Sequence, residues 1–503
     1  MSKLLSKLLA TLAVTAVVTT TAQADTPKFR ADPPPSILTP DKVETSVGTL
    51  HFRDGAPDAK SVQLALDQLL LGRSIETFLK GMPATSVWAA CNGLASAGIK
   101  ENEGIGLTED LMDARSLFLT PNTTTPYGFA CMNLTAGPMV LEIPPGVLGP
   151  VDDAYFRWVV DLGLTGPDQG RGGRYLFLPP GYDGPVPSMG FHVVRPKTNR
   201  LLMFFRAFVK DGDLKAAVAN VTTNTKLYPL ADFGKPTTTT FVNTSGKQFN
   251  TISGNTFELF NELNSAVQNE PADFVDPETV GLFAAIGIRK GQPFAPDARA
   301  TKILTDGVAL GNAAARSFLW APQDKRMLIY PDRQWLTPFV GGSYLFMDDA
   351  ELMLDVRATF FYYATGITPA MADAKPGTGS AYAGAFRDKD GNYLDGSKTY
   401  RITLPGPIPM NNFWSFTVYD NQTRSLLETD QKLAGVDSTS KELKMNDDGS
   451  ATIWFGPAPP KGNEGNWVQT MPGKGWNSLL RLYGPLEPWF DKSWKPGDFE
   501  EVK

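Results

Sequence analysis

The chain has 503 residues, a formal net charge of −6 at pH 7, 42% hydrophobic residues and 11% aromatic residues. This composition can build several packed domains of about 100–200 residues each. The acidic balance is spread along the chain and there is no basic run of five or more. Charge therefore argues against nucleic acid or an anionic membrane surface as the main partner.

The N-terminus has the three parts of a signal peptide in their usual order. Lys3 and Lys7 precede an apolar stretch at 8–18, and Ala22-Gln23-Ala24 supplies a small-x-small cleavage pattern. The sequence predicts a signal peptide over residues 1–24 and a periplasmic or secreted protein. The alternative is a membrane anchor or a buried helix. No later apolar run approaches 20 residues, so we expect no membrane span in the mature chain.

The remaining chain alternates between helical and strand-like regions. We predict helices at 61–79, 85–97, 255–268, 277–286, 298–318 and 348–364, the last capped by Asp348 or Asp349. Short apolar runs bounded by Pro or Gly predict strands at 139–143, 155–161, 174–178, 191–194 and 201–209. Further strands are expected over 385–483. The prediction is an α+β multidomain fold with two related β-sandwich domains, each preceded by helical segments. Its divisions are a surface arm at 25–60, a helical segment at 61–115, a first β-sandwich domain at 116–245, a helical domain at 246–380 and a second β-sandwich domain at 381–503.

Four segments recur in the same order in the two strand regions, which indicates an internal duplication. The matched pairs are 141–144 with 402–405, 155–161 with 413–420, 173–179 with 451–457, and 201–206 with 479–483. The alternative is chance similarity among amphipathic strands. Asp161 and Asp420 occupy matching places, as do Arg206 and Arg481. Because a buried arginine needs an acceptor, we expect Asp161–Arg206 and Asp420–Arg481 pairs.

Cys91 and Cys131 are the two cysteines, and both lie in apolar surroundings. An oxidising compartment would allow them to pair. We favour two separately buried thiols as the interpretation of their surroundings.

The C-terminal motifs resemble the family called domain of unknown function 1214. They include Asn412-Phe413-Trp414-Ser415, Arg481-Leu482-Tyr483-Gly484-Pro485 and Trp494-Lys495-Pro496. Pro121-Asn122, Thr125-Pro126-Tyr127 and Thr198-Asn199-Arg200 resemble its usual companion, domain of unknown function 1254. The resemblance implies paired helical and β-sandwich domains in an exported bacterial protein, with no settled activity. It also implies an aspartate where this chain has Thr124.

The polar loop at 120–127 is the main candidate for a binding site. Asn122, Thr124, Thr125 and Tyr127 place many donors and acceptors in one loop that enters a strand, with His192 and Arg206 as further candidates. The alternative is a self-satisfied turn in which Asn and Thr bond to their own backbone. Aromatic residues that alternate with polar ones, Tyr382 among them, are interpreted as core residues.

Other sites have little support in the sequence. There are two histidines, no metal-ligand spacing and no nucleotide-binding motif, so we expect no metal site and no cofactor. The favoured hypothesis is binding or modification of a small organic or carbohydrate-like ligand in a cleft between domains. The alternative is a structural or assembly protein that forms a homo-oligomer through its sandwich faces, without catalysis.

Overall fold

The computed structural model describes residues 28–503. The predicted signal peptide lies outside the described residues. The chain divides into two compact units, the first ending at Leu66 and the second spanning Asp67–Lys503. Among the helices of residues 28–503, none is long and apolar enough to cross a membrane.

The predicted surface arm contains a small antiparallel sheet. Its strands are β1 (Lys42–Thr45), β2 (Gly48–Arg53) and β3 (Ala56–Pro57). The long helix α1 (Ala59–Ser96) follows, where two helices were predicted. That prediction is wrong because the chain passes through Pro83 without leaving the helix. Residues 81–87 are all buried, and tertiary packing of this kind outweighs local propensity.

The first strand region folds into two main sheets. Its elements are β4 (Gly104–Leu107), β5 (Ser116–Leu117), β6 (Tyr127–Asn133), β7 (Met139–Ile143), β8 (Val147–Asp153), β9 (Trp158–Gly163), β10 (Gly173–Phe177), β11 (His192–Val194), β12 (Arg200–Ala207), α2 (Leu214–Asn224), β13 (Lys226–Pro229), β14 (Thr240–Asn243) and β15 (Phe249–Asn250). The larger sheet has the order β14-β4-β6-β12-β8-β9 and the smaller β11-β10-β7-β13, while β15 pairs with β5. Tyr175 and Phe177 of the smaller sheet share one hydrophobic cluster with Met203 and Phe205 of the larger.

Helices dominate the middle of the chain. They are α3 (Glu258–Asn269), α4 (Pro277–Ala285), α5 (Ala298–Trp320), α6 (Leu354–Tyr363) and α7 (Pro369–Ala372), interrupted by β16 (Trp335–Leu336), β17 (Met347–Asp348) and β18 (Glu351–Leu352). The predicted start of the helix at 348–364 is wrong. Asp348 pairs with Glu351 in the β17–β18 hairpin, and Asp349 has a φ of 49°, so neither aspartate caps α6.

The second strand region also forms two sheets. Its elements are β19 (Ser380–Ala385), β20 (Thr399–Leu404), β21 (Met410–Asp420), β22 (Gly435–Asp437), β23 (Ala451–Gly456), β24 (Trp467–Gln469), β25 (Trp476–Pro485), α8 (Glu487–Phe490) and β26 (Glu500–Val502). The sheets have the orders β16-β19-β25-β21-β22 and β24-β23-β20-β26. Phe416 and Leu480 of the first pack in one cluster with Ile402 and Ile453 of the second.

The two strand regions share their strand order. β12 lies between β6 and β8, and β25 lies between β19 and β21 in the same antiparallel sense. In the smaller sheets, β10 pairs antiparallel with β7 and parallel with β11, as β23 does with β20 and β24. The predicted α+β multidomain fold is confirmed. The shared strand order supports the predicted duplication, and the β-sandwich form stays a prediction.

One match within the predicted duplication is wrong. The segment at 155–161 contributes to β9, at the edge of its sheet, whereas 413–420 lies in β21, beside β25. The topological counterpart of β21 is β8, which lies beside β12. Asp161 and Asp420 are therefore not equivalent.

Cys91 and Cys131 form a disulfide that joins α1 to β6, with their Cα atoms 5.7 Å apart. The interpretation as two separate thiols is wrong. Their apolar surroundings did indicate burial, since the cysteines are 6% and 4% exposed. Burial alone could not show that the helix and the strand pack against each other at these two positions.

Candidate functional site

The side chain of Asn122 organises the loop that leads into β6. Its Oδ1 accepts hydrogen bonds from the backbone N–H groups of Thr124 and Thr125, at 2.9 and 3.0 Å, and from both threonine hydroxyls at 3.2 and 3.1 Å. Its Nδ2 donates to Tyr127 Oη at 2.8 Å, and its backbone N–H donates to the same oxygen at 3.0 Å. The loop is thus an Asn-centred turn. The hydroxyl of Thr124 donates within it, which an ionised aspartate at this position could not do.

Arg206 on β12 lies directly opposite Tyr127 on β6. Directly opposed residues of antiparallel strands project on the same face, so this pair faces one side of the larger sheet. The Arg206 guanidinium also lies over the ring of Tyr483, 5.8 Å from its centroid. Arg206 is partly buried and makes no hydrogen bond or ion pair with any residue of the described part of the chain.

Arg481 on β25 repeats this arrangement, because it lies directly opposite Tyr382 on β19. In contrast to Arg206, it is well supplied with acceptors. Its guanidinium donates to Thr417 Oγ1 at 3.0 Å, to Tyr419 Oη at 2.7 Å and to the carbonyl oxygen of Thr120 at 2.9 Å. Arg481 therefore ties the Asn-centred turn to the second strand region.

The predicted aspartate–arginine pairs do not form. Asp161 Oδ1 accepts a hydrogen bond from Trp158 Nε1 at 2.9 Å, and Asp420 Oδ2 pairs with Lys474 Nζ at 2.9 Å. The expectation that a buried arginine needs acceptors holds for Arg481, which uses hydroxyl and carbonyl oxygens in place of a carboxylate. The sequence could not show which strand presents those acceptors.

The two arginine–tyrosine pairs meet at a cavity of about 120 Å³. Asn122, Tyr127, Arg206, Tyr382 and Arg481 contribute to its lining. The other walls are mainly apolar and come from both strand regions and from the helices between them, including Phe118, Phe204, Phe339, Phe360, Met371 and Leu479. Among the described residues that line it, there are two arginines and no aspartate or glutamate.

Burial and charge shape the titration of these groups. Burial raises the pKa of Tyr127 above its ordinary value, against the opposing influence of Arg206 and Arg481. Burial also acts to lower the pKa of both arginines. Coulombic interaction with the surrounding tyrosines, in their ionised form at the high pH where arginine titrates, more than offsets this effect, so each pKa lies above its ordinary value. At neutral pH the site therefore combines two guanidinium cations with a neutral Tyr127.

The structure brings three of the predicted site residues to the cavity, namely Asn122, Tyr127 and Arg206. Thr124 and Thr125 do not line it and act on Asn122. His192 lies elsewhere, on β11, with its ring centroid 5.1 Å from that of Tyr175. Tyr382, which was interpreted as a core residue, lines the cavity. The sequence matched Arg206 with Arg481, and in the structure a tyrosine lies opposite each of these arginines. That match was the signal that could have pointed to Tyr382.

The side chains that could bind a metal ion are not clustered in the described part of the chain. Within residues 28–503, no group of three His, Cys, Asp or Glu side chains is placed to hold a metal ion. The sequence has acidic residues at alternate positions in one loop, at Asp388 and Asp390. In the structure, Asp388 accepts hydrogen bonds from the backbone N–H groups of Asp390 and Asn392 at 3.0 and 2.9 Å. This loop is a turn closed on itself.

Comparison with solved structures supports this fold through one of the two matches described here. No curated protein matches the chain. The fold is similar to that of the VPA0106 protein from Vibrio parahaemolyticus, with a TM-score of 0.53 and 18% identity over 86% of this chain and all of that chain. A second structure, of an uncharacterised protein from Burkholderia cenocepacia, covers 88% of this chain and 97% of its own at 15% identity, with a TM-score of 0.39.

Two family models match separate parts of the chain. Residues 104–229 match the family described as protein of unknown function (DUF1254), and residues 379–487 match protein of unknown function (DUF1214). The first match contains Tyr127 and Arg206, and the second contains Tyr382 and Arg481. The chain therefore carries DUF1254 and DUF1214 in tandem, in that order, as its sequence motifs indicated.

Proposed function

We propose that this chain is an exported protein that binds a small, largely apolar organic molecule in the cavity between its two family domains. The observation that carries the proposal is the lining of that cavity. Apolar walls from three regions of the chain are combined with polar side chains, among them Asn122, Tyr127 and Arg206, which is the usual composition of a small-molecule site. The signal-peptide pattern supports export.

The size and walls of the cavity narrow the class of ligand. An engineered apolar cavity of about 150 Å³ binds benzene, so a cavity of about 120 Å³ fits a molecule near the size of one ring. A monosaccharide suits these walls poorly because its hydroxyl groups would lose hydrogen bonds to water without replacement. The proposal therefore favours a small organic ligand over a carbohydrate-like one.

A thermal-shift experiment tests the proposal on the purified full chain. The probes are benzoate and benzamide, with glucose as the carbohydrate probe. A ligand that binds only the folded state raises the free energy of unfolding, by about 2.7 kcal/mol at a ligand concentration of 100 times its Kd, and so raises the melting temperature. We expect at least one single-ring probe to raise the melting temperature and glucose to leave it unchanged.

A pair of alanine variants provides the control. Ala364 lines the cavity, whereas Ala114 is equally partly buried and does not line it. Ala364→Leu fills cavity space and should abolish the shift, while Ala114→Leu should retain it. The proposal is contradicted if no single-ring probe shifts the melting temperature, or if Ala364→Leu keeps the full shift. A concentration-dependent oligomer without probe binding would instead favour the assembly role.

A further inference from the structure

We infer that the ligand of this cavity carries an anionic group, a carboxylate, which binds against Arg206 and Tyr127. This inference rests on the proposed function and names the chemical class of its ligand. It follows from the hydrogen-bond partners of Arg206, Tyr127 and Asn122, which line the cavity.

The guanidinium of Arg206 is the first unused donor. Its five N–H groups make no hydrogen bond with the described residues, and its charge has no carboxylate partner among them. Its contact with the Tyr483 ring at 5.8 Å offsets part of the cost of removing a cation from water. A ring face supplies no lone pair, so the N–H groups still lack an acceptor.

The hydroxyl of Tyr127 is the second unused donor. The Asn-centred turn directs two N–H groups at its oxygen, so the oxygen acts as an acceptor towards the turn. The bonds from Thr124 and Thr125 to Asn122 Oδ1 fix the orientation of the amide, so Nδ2 must point at Tyr127 Oη. The backbone N–H of Asn122 points at the same oxygen. Tyr127 Oη thus accepts twice, and its own O–H has no acceptor among the described residues. Thr124 and Thr125 are positioning residues that act through Asn122.

Two carbonyl oxygens of the loop at 120–127 are already in use, whereas the buried Oη of Tyr483 has no hydrogen-bond partner within residues 28–503. The carbonyl oxygen of Thr120 accepts from Arg481, and the carbonyl oxygen of Pro121 accepts from Tyr419 Oη at 2.7 Å. No acidic side chain of the described residues lines the cavity. Arg206 therefore has no carboxylate partner, and neither its N–H groups nor the O–H of Tyr127 donates a hydrogen bond to a described residue. A carboxylate supplies two acceptor oxygens and the missing negative charge.

Arg206 and Arg481 take different parts in this arrangement. Arg481 is 4% exposed and its bonds to Thr120, Thr417 and Tyr419 hold the two strand regions together. Arg206 is less buried and keeps surface free, so it is the arginine that can bind a ligand directly. The experiment accordingly changes Arg206 and leaves Arg481 intact.

Calorimetric titration of the full chain at neutral pH with benzoate, benzamide and benzylammonium tests the inference. The three probes share one ring and differ in charge. We expect benzoate to bind ~10- to 100-fold more tightly than benzamide, in keeping with a hydrogen-bonded charge, and benzylammonium to bind most weakly. Arg206→Gln should remove the preference for benzoate while benzamide still binds. Arg171→Gln, at an exposed arginine, should keep the preference.

A second variant guards against misfolding of the first. Tyr127→Phe keeps the ring and removes the O–H donor, together with the acceptor of two bonds from Asn122, so its melting temperature is measured first. In the folded variant we expect benzoate affinity to fall ~10-fold or more, with benzamide little changed. The inference is overturned if benzamide binds as tightly as benzoate, or if the preference survives in both variants. Those results leave the proposed function intact. Absence of binding by all three probes would overturn the proposed function as well.

Discussion

The disulfide between Cys91 and Cys131 gives the sharpest prediction about stability. The two cysteines are 40 residues apart, and they are the only cysteines of the chain, so a reductant acts on one bond. A cross-link limits the conformations of the unfolded chain. The loop-entropy relation gives about 4 kcal/mol for a closed loop of this length. We therefore expect unfolding under reducing conditions to require about 4 kcal/mol less than unfolding of the oxidised protein.

Denaturant titration with and without dithiothreitol measures this difference. Comparing the same chain in two redox states avoids the cavities that replacing two buried cysteines would create. The reduced protein should also show a steeper dependence on denaturant, because its unfolded state exposes more surface. A Cys91→Ala/Cys131→Ala variant should be indifferent to dithiothreitol. Two titrations that agree within about 1 kcal/mol, or two free thiols in the unfolded, unreduced protein, would show that no disulfide restricts the unfolded chain.

Three further predictions concern single side chains. Burial raises the pKa of Glu270 to about 7 from 4.5. Between these pH values the folded protein binds more protons than the unfolded one, so the free energy of unfolding should fall as the pH rises, by up to about 3 kcal/mol. Glu270→Gln should flatten this slope in pH-dependent denaturation, and an unchanged slope would contradict the assignment. Gly366 has a φ of 78°, and an added Cβ would lie 1.8 Å from the ring of Phe204. Gly366→Ala should therefore displace the Phe204 ring, which lines the cavity, and lower the free energy of unfolding by more than about 1 kcal/mol in denaturant titration. Asn122→Ala would leave the backbone N–H groups of Thr124 and Thr125 without partners and would remove one of the two bonds to Tyr127 Oη. It should cost about 2–4 kcal/mol, whereas a cost below about 1 kcal/mol would argue against the Asn-centred turn.

Much of the strand pattern could be predicted because it depends on local sequence. The strand at 139–143 is found with its predicted bounds, since a short apolar run between Gly-Pro and Pro-Pro leaves little choice. The helices at 277–286 and 298–318 are also close to their predictions, because Asp276 and Asp297 are ordinary N-caps. The predicted start of the helix at 348–364 was wrong because Asp348, the apparent N-cap, lies in the β17–β18 hairpin.

The site could be predicted only in part. The polar loop and Arg206 were visible because polar groups stand out against apolar strands. Their partners depend on cross-strand register, which places Tyr127 opposite Arg206 and Tyr382 opposite Arg481. Register is set by the whole sheet and cannot be taken from one segment. For the same reason, the expected aspartate partners were wrong although the need for acceptors was correctly expected.

We propose that this cavity binds a small apolar acid through Arg206. A crystal structure of the complex with 4-bromobenzoate tests it most directly, because anomalous scattering locates the bromine independently of the carboxylate. We predict bromine among the apolar walls and a carboxylate oxygen within about 3.2 Å of the Arg206 guanidinium. Bromine density outside the cavity, or a carboxylate directed away from Arg206, would contradict the account.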